Sequence, residues 1–197
     1  MIHPIKHFMT ITKHRHMVMW YCFKCGLYKQ GLLHDLSKYG FTEFWSGAKY
    51  YSGKYSPHHN ERKEKGYSLA WMHHKGRNKH HVEYWTDVNI EIHQYEPVLM
   101  PDRYIAESMC DRIAASKVYN KKNFTPEDVR NYFKKEGPQL PLHPEVRKKF
   151  EFLLDYYVDN GEKALFKYIK KNMRKKKWYK GVILWYKYIG WWQLWIL

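Results

Sequence analysis

The histidines of this chain are concentrated near its amino terminus, where eleven of the 13 fall within the first 81 residues. One of them opens the run His34-Asp35-Leu36-Ser37-Lys38, and two adjacent pairs follow at His73-His74 and His80-His81. Histidine is the commonest metal ligand among side chains. With Asp111, these residues could supply two or more ions with mixed nitrogen and oxygen ligands, a set that suits Mn, Fe, Co, Ni or Zn. A fold that uses them has to bring separate helices to one pocket.

Helical periodicity dominates the rest of the chain. Apolar residues recur at helical spacing over residues 12–27, 67–85 and 102–119, and each of these segments is predicted to be a helix. The polar segment 52–66 is predicted to be a loop that could cover a site, and 87–101 is also predicted to be a loop. No stretch alternates as a strand would. The predicted fold class is all-α.

The segment 67–85 carries both histidine pairs. If it is one helix, His74 and His81, seven residues apart, lie on the same face, with Asn78 between them. His73 and His80 form the same pairing on a face rotated by about 100°. One pair is therefore predicted to bind metal, and the other to orient ligands or contact substrate.

Further ligands are predicted on the neighbouring helices. Asp111 lies beside an apolar stripe, where a carboxylate is costly unless it is paired or metal-bound. The alternative is an ion pair with Arg112 or Arg103. The upstream helix offers both His14 and His16. The carboxylates of Glu43 and Glu83 could orient metal-bound histidines, as such ligands require.

Charge and cysteine content bear on partners and compartment. The formal net charge of +16 predicts attraction to phosphorylated small molecules, nucleic acid or an anionic membrane, although a basic surface can also merely keep a protein soluble. Three cysteines argue for a reducing compartment, and the pair Cys22 and Cys25 is interpreted as ordinary buried thiols. Residues 1–10 do not have the apolar run of a signal peptide, so a cytoplasmic protein is expected.

The last segment differs from the rest. A basic run over residues 170–180 precedes the aromatic, apolar sequence 182–197, whose sixteen residues fall short of the roughly 20 that span a bilayer. This pattern is typical of a peripheral anchor on an anionic membrane. The alternative is a helix that covers the core of the protein or a dimer interface.

The order of these motifs carries a resemblance to known families. The succession His, His-Asp, His, His and Asp resembles the HD-domain superfamily of metal-dependent phosphohydrolases, and His34-Asp35-Leu36-Ser37-Lys38 is similar to the HDxGK segment of its di-metal branch, with serine in place of glycine. More closely, residues 10–135 are similar to DUF5662, a family of uncharacterised bacterial and phage proteins. The superfamily resemblance implies an HD-domain-like helical bundle, expected over 1–135. Carboxy-terminal helices are expected over 136–177, and the aromatic tail over 178–197 lies outside the resemblance.

The superfamily resemblance also implies a ligand set and an activity. The core ligands would be His16, His34, Asp35 and Asp111, and those of a second ion His74 and His81, although His14, His73 or His80 could replace their neighbours. The predicted function is a metal-dependent phosphohydrolase that acts on a phosphorylated small molecule or nucleotide through a centre of two ions bridged by Asp35. Lys38 and Glu43 are the catalytic candidates, and Lys38, Arg77 and Asn78 the substrate-binding ones. The alternatives are a di-iron oxygenase with the same ligands, and a non-enzymatic basic protein that binds nucleic acid or membrane.

Overall fold

A computed structural model describes residues 2–174 of the chain as a helical protein with one small hairpin. This confirms the predicted all-α class. The predictions for the tail at 178–197 lie outside the described residues. The helices are α1 (Pro4–Lys24), α2 (Tyr28–Leu33), α3 (Phe41–Lys49), α4 (Pro57–Lys65), α5 (Leu69–Lys75), α6 (Asp102–Asn120), α7 (Pro126–Glu136) and α8 (Pro144–Asn172), and the strands are β1 (Thr86–Asn89) and β2 (Gln94–Pro97).

Helices α1 and α6 pack against each other at the centre of the fold. Helices α2 and α3 lie against α1, while α7 and α8 cover the other side of α6. Ile105, Met109 and Ile113 follow one another at four-residue intervals along α6, and all three are fully buried. Burying each such side chain contributes roughly 1.5–3 kcal/mol. The central pair thus gives the site residues on α1 and α6 a rigid support.

The carboxy-terminal helices begin and break at residues that explain their bounds. The side chain of Asp128 accepts a hydrogen bond of 2.8 Å from the backbone N–H of Thr125, which completes a capping box at the start of α7. Helix α8 is interrupted at Gly161, whose φ of 78° and ψ of 176° are accessible mainly to glycine. One hydrophobic cluster contains side chains of α1, α6, α7 and α8. The division at residues 135 and 177 stays a prediction.

Three segments differ from the sequence-based expectation. The predicted loop 52–66 contains α4, whose sequence is too polar to show an apolar stripe. The predicted helix 67–85 ends at Lys75, after which the chain turns and forms a short 3₁₀ helix at Val82–Tyr84. The predicted loop 87–101 contains most of the β hairpin. Its strand residues are exposed or half-buried on both faces, so the sequence does not alternate between apolar and polar residues.

The hairpin is antiparallel, with Thr86 opposite Pro97 and Asn89 opposite Gln94. It connects the histidine-rich turn to the start of α6.

Within residues 2–174, none of the helices combines the length and the apolar character that a membrane crossing requires.

Candidate metal centre

The first histidine of the centre comes from α1, and it is His14 rather than His16. Ile11, His14 and Val18 are buried along one stripe of α1, whereas His16 points away from that stripe and is exposed. The Nε2 atom of His14 lies 2.9 Å from Oδ1 of Asp111 on α6. The structure therefore places the alternative His14, and not His16, beside the other candidate ligands.

The His34-Asp35 pair lies where the backbone leaves the helical conformation between α2 and the 3₁₀ helix Leu36–Tyr39. Asp35 has a φ of 53°, in the left-handed region that residues other than glycine enter only at a cost. Both side chains are almost completely buried. Strained backbone of this kind persists when the surroundings hold it, and here it directs two adjacent side chains into the same interior space.

We define site A as His14, His34, Asp35 and Asp111, whose ligand atoms all lie within 4.8 Å of one another. The Nε2 atom of His34 is 3.4 Å from Oδ2 of Asp35 and 3.5 Å from Oδ1 of Asp111. The Nε2 atom of His14 is 3.8 Å from the same Oδ2 of Asp35. Two imidazoles and two carboxylates thus face one point.

We define site B as Asp35, His74, His80 and His81, which satisfy the same 4.8 Å spacing. The Nε2 atoms of His74 and His80 each lie 3.4 Å from Oδ1 of Asp35. The ring of His81 meets the ring of Trp71 edge-on, with 4.7 Å between the centroids. Asp35 therefore presents one oxygen to each site, which is the arrangement of a bridging carboxylate.

Apart from Asp111, the residues of both sites have buried ligand atoms without partners in hydrogen-bond geometry, although several of these atoms lie at ion-pair distances. Buried polar atoms in proteins are normally hydrogen-bonded, and each exception needs an explanation. Here the exceptions converge on two points and are the atom types that bind divalent metals. They are the two carboxylate oxygens of Asp35 and the Nε2 atoms of His14, His34, His74, His80 and His81.

Two buried glutamates contact the Nδ1 atoms of histidine rings at the centre. Glu107 Oε1 accepts a hydrogen bond of 2.9 Å from Nδ1 of His34 and lies 3.3 Å from Nδ1 of His80. Glu43 accepts hydrogen bonds of 2.7 Å from Nδ1 of His73 and from Nδ1 of His74. These carboxylates favour the tautomer that has its proton on Nδ1, which leaves Nε2 free for a metal. Both oxygens of Glu43 are thus engaged by histidine rings, as a role in orienting ligands requires, and its catalytic role stays a prediction.

Glu107 was missed by the sequence analysis. It lies four residues before Asp111 on α6, so both carboxylates project from the same face. That spacing was the available signal. The group formed by His34, His80 and Glu107 is also compact enough for an ion, but its contacts run through Nδ1, the edge already occupied by hydrogen bonding.

A family model describes the same part of the chain. The model of a family of unknown function, DUF5662, matches residues 3–156. The chain belongs to the DUF5662 family. Neither the curated proteins nor the solved structures gave a match to it. The matched range contains every ligand of sites A and B, but the family description contains no activity, and the likeness to the HD-domain superfamily stays a prediction.

The electrostatics of this DUF5662 protein favour ionised carboxylates in the centre. Burial raises the pKa of Asp35, but His34, Lys38 and His74 outweigh it and hold that pKa well below its usual value. Burial likewise raises the pKa of Asp111, but the close contacts with His14 and His34 outweigh it and bring that pKa well below the usual range. Both candidate ligands are therefore charged at neutral pH.

The histidines divide into two classes. Burial lowers the pKa of His14 and, together with the neighbouring His80 and His74, brings the pKa of His81 well below its usual value, so both rings stay neutral. Burial also lowers the pKa of His34, but the adjacent Asp35, Asp111 and Glu107 overcome that effect and raise it well above the usual value. The acidic groups around His34 thus stabilise a positive charge, which a proton or a metal cation could supply.

The predicted substrate-binding residues are placed differently from one another. The ammonium of Lys38 reaches the centre, 2.6 Å from Oδ2 of Asp35, with 24% of its side chain exposed. Asn78 instead donates hydrogen bonds to Ser37 Oγ (2.9 Å) and to the carbonyl of His74 (2.8 Å), which fixes the turn after α5. The exposed Arg77 donates to the carbonyl of His73 at 3.3 Å. Of these three residues, Lys38 alone approaches a ligand carboxylate.

The three cysteines lie in the hydrophobic core. Cys22, Cys25 and Cys110 are free and buried, as predicted, and the sulfur atoms of Cys25 and Cys110 are 3.8 Å apart. They fill the core between α1 and α6.

The guanidinium of Arg112 lies over the ring of Phe133, and Asp111 contacts His14 instead of that guanidinium.

Proposed function

We propose that this DUF5662 protein is a metal-dependent phosphohydrolase with a dinuclear centre, in which sites A and B each bind a divalent transition-metal ion and share Asp35 as a bridge. One observation carries the proposal: five imidazole Nε2 atoms and both oxygens of Asp35 are buried around two adjacent points, with no partners besides ion-pair contacts within the cluster and with Lys38. Gathering so many buried polar groups without regular hydrogen bonds is costly, and metal binding offsets that cost.

The chemistry that such ions supply when bound is a water of lowered pKa and a polarised phosphoryl oxygen. The protein groups have separate tasks. Glu43 and Glu107 keep the Nδ1 protons of the ligand rings in place. Asp35 and Asp111 balance positive charge in the centre. Lys38 offers an ammonium beside site A that can hold a phosphoryl oxygen of the substrate.

The approach to the centre supports a phosphorylated substrate. Asp111 of site A and the neighbouring Lys38 are partly exposed, with 18% and 24% of their side chains accessible, so a substrate would enter beside them. The net charge of +16 attracts anions toward the protein and raises their rate of encounter. A phosphorylated small molecule or a nucleotide is the substrate class that fits both features.

The experiment measures metal content and hydrolysis on the same preparations. Untagged protein is expected to retain up to two equivalents of transition metal and to hydrolyse p-nitrophenyl phosphate or its diester when Mn²⁺ or Co²⁺ is present. Asp35→Ala should lose most of the metal and the activity, because this residue serves both sites. Asp155→Ala is the matched control, since Asp155 is an exposed aspartate paired with Arg130 at 3.5 Å.

The alternatives give different results. Wild-type protein that binds no transition metal would contradict the proposal. Iron with an EPR signal and oxygen consumption, but no hydrolysis, would support the oxygenase alternative instead. Salt-sensitive binding of nucleic acid or anionic vesicles by metal-free protein, again without hydrolysis, would support a non-enzymatic basic protein. If Asp35→Ala fails to fold by circular dichroism, Asp111→Asn provides the same comparison at site A.

A further inference from the structure

Sites A and B differ in the atoms that they offer to an ion. Site A has two imidazole nitrogens and two carboxylates, whereas site B has three imidazole nitrogens and only the shared Asp35. Imidazole suits Zn, Cu, Fe and Ni, while carboxylate oxygen suits Mg, Ca and Mn. On donor type alone, site B is the better site for zinc-like ions and site A the better one for manganese-like ions.

Burial does not separate the two sites. Each has three buried members and one half-buried member, which is Asp111 at site A and His81 at site B. The difference between the sites therefore lies in their donor atoms and in their neighbours.

A second difference is the ammonium of Lys38, which lies at the side of Asp35 that faces site A. It lies 2.6 Å from Oδ2, the oxygen nearest His14 and His34, whereas His74 and His80 approach Oδ1. A cation that enters site A has to share Oδ2 with this ammonium or displace it. Repulsion between the two positive charges weakens binding at site A.

We infer that the centre is asymmetric: site B is a tight, nitrogen-rich site that retains a zinc-like ion, and site A is a weaker, oxygen-rich site that exchanges Mn²⁺ with solution. This inference rests on the proposed dinuclear centre. It makes activity depend on the free concentration of a divalent ion at site A, the site beside which Lys38 can hold substrate.

The test is a metal titration of the full chain after removal of bound metal with a chelator. Zn²⁺ binding is followed by competition with a chromophoric chelator, and Mn²⁺ binding to the zinc-loaded protein by EPR. We expect one Zn²⁺ to bind at least about tenfold more tightly than the second, a difference of about 1.4 kcal/mol. We also expect that one Mn²⁺ binds to protein that already holds one Zn²⁺.

Variants assign the two binding classes. His81→Ala should remove the tight class, and His14→Ala should remove the weak one. His16→Ala is the matched control, because His16 is an exposed histidine on the same helix as His14. Lys38→Met should tighten the weak class several-fold and leave the tight class unchanged.

Each other outcome is informative. Two classes of equal affinity would overturn the asymmetry while they support the dinuclear centre. Loss of the tight class in His14→Ala, or an unchanged weak class in Lys38→Met, would also overturn the inference. Wild-type protein without any metal binding would overturn the proposed function itself.

Discussion

Replacing Glu43 with glutamine tests whether the carboxylates behind the ligand rings tune metal affinity. Both of its oxygens are engaged, each at 2.7 Å, by Nδ1 of His73 and Nδ1 of His74. Glutamine keeps the shape but is uncharged and has one accepting oxygen instead of two, so Nδ1 of His74 loses its carboxylate partner in either orientation of the amide. Only His74 belongs to site B. Since loss of such a partner weakens metal binding by about 10- to 100-fold, we expect Glu43→Gln to cost roughly 1.4–2.8 kcal/mol at site B and nothing at site A.

The measurement is the competition titration with a chromophoric chelator, in which wild-type and variant proteins are compared at both binding classes. Glu107→Gln is the companion variant, because Glu107 contacts one ring of each site, and it should weaken both. Glu61→Gln is the matched control. Glu61 is equally buried but accepts from the hydroxyls of Ser46 and Ser68, at 3.1 and 2.6 Å, and contacts no ligand ring.

The pattern across the three variants decides the outcome. If Glu43→Gln binds metal as the wild type does while its circular dichroism is unchanged, a carboxylate at Nδ1 does not set affinity here. Equal losses at both sites in Glu43→Gln would also refute the reasoning, since only one of its partners is a ligand. A comparable loss in Glu61→Gln would attribute the effect to general destabilisation instead.

Two further predictions concern the packing of His7 against α3. A β-carbon at Gly47 would lie 2.2 Å from Nε2 of His7, so Gly47→Ala should lower the free energy of unfolding, measured in urea, by about 1–3 kcal/mol. His7→Ala in the same chain should relieve most of that loss, whereas strictly additive losses would argue against the clash. Burial and the nearby Lys38 lower the pKa of His7 to about 4 from 6.5, so the unfolded chain takes up this proton first and stability falls as the pH drops through that window. The decrease in unfolding free energy between about pH 6.5 and about pH 4 should be smaller in His7→Gln, and an equal decrease in both proteins would show that His7 does not titrate in this way.

Part of the site was accessible from sequence because it depends on local rules. Helix α6 covers Asp102–Asn120, close to the predicted bounds, so its buried stripe could be assigned from the spacing of apolar residues alone. Asp111 borders that stripe, and its cost in an apolar setting indicated a partner. The run that begins at His34-Asp35 needed no assumption about a helix face, because its two ligands are adjacent.

The preference for His16 over His14 came from the superfamily resemblance and not from the phase of α1. The buried stripe of that helix contains His7, Ile11, His14, Val18, Tyr21 and Cys22. Two of its six members are histidines, both in its first half, so a search for apolar spacing does not detect where the stripe begins. The helix also begins at Pro4, eight residues before the predicted start at residue 12, so the buried His7 and Ile11 fell outside the predicted helix.

The second site shows what periodicity cannot decide. His80 and His81 are adjacent, and in a helix their side chains would diverge by about 100°, which is why only one of them was expected to bind metal. The chain leaves the helix at Gly76, and His81 adopts extended angles, φ −84° and ψ 132°. The two rings then lie with centroids 4.2 Å apart, and both histidines join Asp35 in one group of candidate ligands. Both sites thus depend on non-helical backbone, at Asp35 and at His81, and the helical template, which pairs His74 with His81, separates His80 from them.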